Sequence, residues 1–271
     1  MTFKNVKNII VTGSRGFIGK NLVRLLASKG YCVYGIDSKQ HLNRHYDYKN
    51  QNNENFFKYD ISKKRNIEII SSKLKKIKFE SFWHFAANSD ISKGSNNLDI
   101  ELRDTFNTTK SSILLAKKLG IKKFVFASSS AIFGQVKKSI NENYGPCLPL
   151  SNYGAMKLAS EGLITSNSDF FDCLFIFRFP NVVGADNTHG LIYDMIKKSK
   201  KFKKIPVLGN GLQKKPYIHV LDLINLIFKI YQNKKYNKFN IYNIGPEDKG
   251  ITVKSIISKL KKLDNFKNKN F

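Results

Sequence analysis

Acidic residues are scarce in this chain of 271 residues: Asp and Glu number 20 against 47 Lys and Arg, a formal net charge of +27. Cysteine is scarcer still, with Cys32, Cys147 and Cys173 odd in number and far apart. Such a set neither staples a disulfide framework nor spaces the ligands of a zinc site. No run approaches the roughly 18 apolar residues that a membrane-spanning helix needs. The opening MTFKNVKNIIVTG lacks the apolar core and cleavage site of a secretory leader, because its apolar run leads directly into glycine. A cytoplasmic chain with no membrane partner is therefore expected. Nothing is rich enough in Pro or Ser to make a flexible linker, and the sequence has no internal repeat.

The positive excess is mostly Lys, spread over separate runs such as SKLKKIK, KKSKKFKK and KLKKLDNFKNK. None interleaves aromatics in a base-stacking pattern, so they read as solvated faces and loops, and no nucleic-acid partner is expected. The same field favours small anions such as nucleotides. What is plentiful is core material: a hydrophobic fraction of 41% with 13% aromatic suits a folded chain rather than a disordered one.

Short apolar runs at 8–13, 32–37, 56–61, 81–87, 122–129 and 173–179 alternate with helical stretches at 17–29, about 62–76, 99–119 and 153–166. Brief, continuously apolar runs suit strands buried on both faces. The βαβαβ order predicts an open parallel sheet with helices on both sides. After RFPNVVG (178–184) the pattern loosens. The tail, with helices near 219–232 and 252–263, is not expected to extend the sheet simply and reads as a smaller substrate-binding lobe.

Gly13, Gly16 and Gly19 stand in a G-x-x-G-x-x-G loop between the first run and the first helix. Their jobs would be a tight turn, close approach to a pyrophosphate, and packing of helix on strand. The N–H groups that open the helix would face the phosphates, and Arg15 would add a charged contact. Asp37 ends the second run, where an acid meets adenosine ribose hydroxyls and selects NAD over NADP. It also suits a strand-end cap, and Lys39 and Arg44 are the residues that would take a 2′-phosphate instead. Asp60 and Ile61 would lie beside the adenine. Tyr153 and Lys157 are four apart in SNYGAMKLA; alone, that spacing says only that they share a helix face.

In order, TGSRGFIG, YDI, HFAANSDI, ASSSAIFG, SNYGAMK, RFPNVVG and GNGLQKKPYIHVLDL lie within residues 11–223. The set resembles the extended short-chain dehydrogenase/reductase superfamily, in its NAD-dependent nucleotide-sugar epimerase/dehydratase branch, and within it the UDP-glucose 4-epimerases. The resemblance implies an α/β, Rossmann-type doubly wound parallel sheet over 1–180, with the helix at about 219–232 packing back on it. A smaller C-terminal substrate lobe would occupy 181–271, shorter than the family's. NAD would be the cofactor, held by Gly13, Arg15, Gly16, Phe17, Ile18, Gly19, Asp37, Asp60, Ile61, Ala86, Ala87, Tyr153 and Lys157. The substrate would be a nucleotide-sugar, a UDP-hexose by this resemblance, touched by Asn88, Ser129, Asn181 and Lys215.

The resemblance makes Ser129, Tyr153 and Lys157 the catalytic set, with Ser128 and Ser130 left as loop serines. A free phenol, with a pKa of about 10, is less than about 1% ionised at neutral pH. A neighbouring cation lowers it by about 1–3 units, so Lys157 is expected to activate Tyr153 as the base. Ser129 would hydrogen-bond the same sugar oxygen. Asn181 and Lys215 would meet the diphosphate, Lys215 without the fork of the family's arginine. Thr105, where the family commonly has asparagine, equally suits a helix N-cap. A related nucleotide-sugar dehydratase, decarboxylase or reductase of the same family is the runner-up, though SSSAIF carries no acid, which speaks against 4,6-dehydration. A non-catalytic NAD-binding module is the alternative from another class. A homodimer is expected, through Ile113, Leu114, Leu115, Met156, Leu158, Leu163 and Ile164 left over after the helices cover the sheet.

Overall fold

The apolar run NIIVT becomes β1 (Asn8–Thr12), in which Ile9, Ile10 and Val11 are wholly excluded from solvent. The computed structural model describes residues 6–38, 54–88, 94–95, 97–136, 139–207, 209–233, 235–246, 250–263, 266 and 269. Lys39, Arg44 and part of HFAANSDI lie outside them. After β1 come α1 (Phe17–Ser28), β2 (Cys32–Asp37), β3 (Glu54–Lys58), α2 (Lys64–Leu74) and β4 (Phe79–His84). The next helix, α3, has an α-helical start at Leu98–Glu101, a π turn at Leu102–Asn107 and an α-helical body at Thr108–Lys118. Then follow β5 (Lys123–Ser129), α4 (Asn152–Thr165) and β6 (Cys173–Phe179). The remainder is β7 (Asn181–Val183), α5 (Leu191–Ser199), β8 (Lys214–Lys215), β9 (Tyr217–His219), α6 (Val220–Gln232), β10 (Phe239–Asn243), β11 (Ile251–Thr252) and α7 (Val253–Leu260).

The chain clusters into two units: Met1–Phe179 with Ile224–Asn243, and Pro180–Leu223 with Ile244–Phe271. The first holds a 7-stranded sheet in the order β10-β6-β5-β4-β1-β2-β3, every neighbour pair parallel. This is a Rossmann-type sheet flanked by helices. The chain runs outward from β1 through β2 to β3, then returns to place β4 on β1's other side. That reversal opens a crevice at the carboxyl ends of β1 and β4. A core of Ile10, Ile36, Phe82, Phe124, Phe126 and Ile176 is buried on one side, with Ile113 and Leu115 of α3 and Ile164 of α4 packed into it. These three, with Leu163 against them, are used up by the sheet. Of the apolar surplus expected on these helices, Leu114 is exposed and Met156 and Leu158 are half-buried.

One expectation is corrected here. The tail does extend the sheet: Phe239–Asn243 pairs with Leu174–Arg178 as a seventh parallel strand. FNIYN hides this role because asparagines interrupt its apolar residues. Asn240 is nonetheless buried, its side chain donating to the Leu174 carbonyl at 3.2 Å. The second unit has two short ladders, parallel β7–β9 and antiparallel β8–β11. Its own core is Met195, Ile205, Val253, Ile256, Leu260 and Phe266. Among the described residues no helix is long and apolar enough to cross a membrane.

Candidate active site

The glycine loop is built against β4. Gly13 has φ +69°, and a side chain there would run into the backbone of Phe85 and Ala86. A Cβ on Gly19 would strike the Gly13 carbonyl, so helix and turn are close only because both residues lack one. No side chain caps α1 at Gly16. Ser14 Oγ is buried with no hydrogen-bond partner among the described residues, beside the helix end where an anion would bind. Phe17 is buried and Ile18 half-buried. Asp37, at the end of β2, accepts the Arg15 N–H at 2.9 Å, and the Arg15 guanidinium lies 4.1 Å over the Phe56 ring. An acid is thus fixed at the mouth of the loop.

Asp60 is engaged locally. Its Oδ1 accepts from Ser62 N at 3.0 Å and Ser62 Oγ at 2.6 Å, which shapes the entry to α2, while the Ile61 side chain belongs to the core. Ala86 and Ala87 continue from β4, with Ala86 N 3.4 Å from Thr12 Oγ1.

β5 and the first turns of α4 bring the three chemical side chains together. The structure separates the serines by partner. Ser128 Oγ is buried and donates to Glu161, which also pairs with Arg178 at 2.8 Å. Ser129 accepts the Ala131 N–H at 3.2 Å, starts the 3₁₀ turn Ser130–Phe133, and acts on the Tyr153 phenol. Ser151 caps α4, and Gly154 lets its first turn sit against the Ala131 carbonyl, where a Cβ would clash. Lys157, one turn after Tyr153, is 2% exposed; its Nζ donates to the Ala127 carbonyl at 2.6 Å and lies 5.8 Å from the Tyr153 ring centre.

The expected electrostatics of this pair need correction. Burial raises the Tyr153 phenol above its usual range, the charge of Glu101 raises it further, and only Ser129 acts downward. Lys157 is instead pulled down to about 7 by burial, with Glu101 and Glu161 opposing the fall. Desolvation is the leading cause for both groups. Two further groups escape a reading by motif. His84, at the end of β4, is fully buried between Thr12 Oγ1 (2.8 Å), Ser112 Oγ (3.0 Å) and Thr109 Oγ1 (3.0 Å). Glu101 is 0% exposed, with Asn88 Nδ2 and Thr105 Oγ1 each donating to it at 2.7 Å. Thr105 is not an N-cap, for it lies inside the π turn and Asn97 caps the helix; its side chain instead ties Glu101 to the Asn88 N–H, which it accepts at 3.2 Å.

Asn181 and Lys215 belong to the second unit. Asn181 Nδ2 donates to the Pro216 carbonyl at 3.1 Å, so the residue next to Lys215 anchors it. Lys215 itself is exposed on β8. Among the described residues no His, Cys, Asp and Glu cluster to hold a metal.

The family model described as "NAD dependent epimerase/dehydratase family" matches residues 9–245. A UDP-glucuronate 4-epimerase of Thermodesulfobacterium geofontis (strain OPF15) is 26% identical over 266 residues, covering 94% of this chain and 80% of the relative. A solved UDP-galactose 4-epimerase superposes with a TM-score of 0.79 at 26% identity, over 94% of this chain and 84% of that one. MoeE5 in complex with UDP-glucuronic acid and NAD gives a TM-score of 0.82 at 22% identity, over 95% of this chain and 82% of that one, a likeness of fold alone.

Proposed function

The chain belongs to the NAD dependent epimerase/dehydratase family, and from that premise we propose that it is a nucleotide-sugar 4-epimerase acting on a UDP-hexose through a 4-keto intermediate. One observation carries the reading: Ser129, Tyr153 and Lys157 meet at the carboxyl end of β5, on the edge where the sheet opens. The loop residues fit a dinucleotide. The glycines leave no side chain between α1 and the turn, Ser14 Oγ has an unmet hydrogen bond, and Asp37 is fixed where ribose hydroxyls would lie. Bound NAD would supply a hydride acceptor and a positive charge.

The chain's own residues handle the proton. Tyr153 Oη takes it from the sugar 4-hydroxyl as the carbon loses hydride, and gives it back when the opposite face is reduced. Ser129, which acts on the Tyr153 phenol, donates to the same sugar oxygen and steadies the developing ketone. Because burial keeps the phenol protonated, added positive charge is needed to release its proton, and a charged Lys157 contributes to it. The backbone of Ala86 and Ala87 would border the nicotinamide end, and Asn88 the sugar. Asn181 and Lys215 would take the diphosphate. The turn Ser130–Phe133 carries no acid, which favours epimerisation over 4,6-dehydration.

The test is direct. Purified protein is incubated with UDP-glucose, UDP-galactose, their N-acetyl forms and UDP-glucuronate, without added NAD, and followed by NMR. One pair is expected to reach an epimer equilibrium; a panel that stays unchanged with NAD retained would overturn the reading. We also propose a homodimer, supported by exposed Leu98, Leu102 and Leu114 on α3. A monomer in sedimentation at micromolar concentration and moderate salt would refute it.

A further inference from the structure

A buried carboxyl group is costly unless it is fully hydrogen-bonded or answers a charge. Glu101 has both kinds of support, and the fold is arranged around it. The π turn Leu102–Asn107 directly after it widens α3, and Thr105 Oγ1 donates to its Oε2. Asn88, leaving β4, donates to its Oε1. Gly94 lies so close above it that a Cβ there would collide with the carboxyl group. The Gly94 carbonyl in turn accepts from Asn152 Nδ2 at 3.1 Å, and Asn152 directly precedes Tyr153. One carboxyl group therefore links the segment after β4, the start of α3 and the first turn of α4. Single-turn π insertions recur where a helix has been adapted to a site.

We propose that Glu101 is a positioning residue, the fixed negative charge that faces the Tyr153–Lys157 pair and seats the turn carrying Tyr153. The inference rests on the 4-epimerase reading only for its kinetic arm. Among the described residues, two acids act on Lys157. Glu101 approaches from α3, and Glu161 from α4 itself, already paired with Arg178 of β6. His84 stands on β4, and its interaction with Lys157 disfavours its own protonation. Among the described residues, Glu101 is thus the acid near the pair that is hydrogen-bonded by neutral side chains, Asn88 and Thr105. Its charge is felt by both members, raising Lys157 and Tyr153 together.

The experiment replaces Glu101→Gln, which keeps the shape and removes the charge. Protein labelled with ¹³C at lysine Cε is titrated by NMR, with the Lys157 resonance assigned by its absence in Lys157→Met. The wild-type midpoint is expected near the value of about 7 that burial imposes. In Glu101→Gln it should fall by about one unit or more. Glu101→Asp keeps the charge but draws it back by a methylene, so a smaller fall in the same direction is expected. Turnover should follow: the pH profile of kcat moves to lower pH as a whole, with KM little changed. A merely structural residue would depress activity equally at every pH and leave the lysine midpoint in place.

An unchanged midpoint in Glu101→Gln overturns the proposal. Should that variant not fold, the decision passes to Glu101→Asp, where a downward shift supports it and an identical midpoint overturns it. The titration needs neither substrate nor cofactor. A chain that converts no nucleotide-sugar yet shows the shift keeps this inference and loses the 4-epimerase reading.

Discussion

In the first unit Lys157, Glu101, Glu161 and Arg178 are 2%, 0%, 6% and 8% exposed, and each is bonded to named partners on another element or another turn. In the second, Lys214 and Lys215 lie exposed on a strand of 2 residues, and the ladders beside them are no longer than 3. The seven-stranded sheet over-determines where its polar groups sit. The second unit holds its groups by a few backbone contacts over a small core. The difference teaches that chemistry and recognition are built to different tolerances: a buried group has one geometry, whereas an exposed one costs little to change.

The largest effect that tests this contrast is on turnover. Tyr153→Phe removes the phenol but keeps the ring, so kcat is expected to fall by about 10³–10⁴-fold, with NAD retention and melting temperature close to wild type. A residual rate within tenfold of wild type would mean that another group moves the proton. Next in size is stability. Arg178→Ala leaves Glu161 buried without its cation, and breaking such a pair costs about 3–5 kcal/mol. Urea unfolding should show the loss as a lowered midpoint. A loss under about 1 kcal/mol would mean that the site relaxes enough to admit water.

How much of this was legible in the residues follows from the same contrast. Strands such as CLFIFRF announce themselves because burial on both faces demands an unbroken apolar run, and the glycine loop and the Ser, Tyr and Lys set carry motif spacing. β10 does not, since FNIYN carries asparagine where an apolar residue would signal a strand. Glu101 is invisible for a different reason. A glutamate in LDIELRDTF has the look of any solvated helix residue, and neither the π turn nor Gly94 above it leaves a pattern. The protonation of the Tyr153–Lys157 pair is not legible, because spacing conveys proximity but not desolvation, and desolvation dominates both groups. The seven apolar residues on α3 and α4 gave a composition, but only packing tells that Ile113, Leu115 and Ile164 are spent on the core.

A third prediction uses pH to probe the dry interior of the first unit. His84 is held well below its free value of 6.5, chiefly by burial. The folded state therefore favours the neutral ring, and the unfolded state binds the extra proton. Stability from this group is complete above about pH 6.5 and is lost as pH falls below it, by about 1.4 kcal/mol per pH unit for one proton. Urea midpoints at pH 7, 6 and 5 should fall more steeply for wild type than for His84→Gln. Parallel slopes would mean that the ring is charged in the fold or that water reaches it.

The smallest expected effect lies in the second unit, and it is the sharper test because the same chemistry would be costly in the first. Lys215 is a point charge on an exposed strand beside Pro216, whose carbonyl Asn181 anchors. If the pair meets the substrate diphosphate, Lys215→Arg supplies a planar fork where there was one ammonium. The gain at an exposed site is worth about 0.2–1 kcal/mol, so KM for the nucleotide-sugar should fall roughly twofold to fivefold, with kcat and melting temperature unchanged. Lys215→Ala should raise KM by a similar factor. Initial rates across a substrate series, at two ionic strengths, would separate this from general attraction: a diphosphate contact alters KM for nucleotide-sugars at both, whereas a diffuse field effect fades as salt rises. If neither variant moves KM, Lys215 is a solvated lysine like those in KKSKKFKK, and the diphosphate is recognised elsewhere.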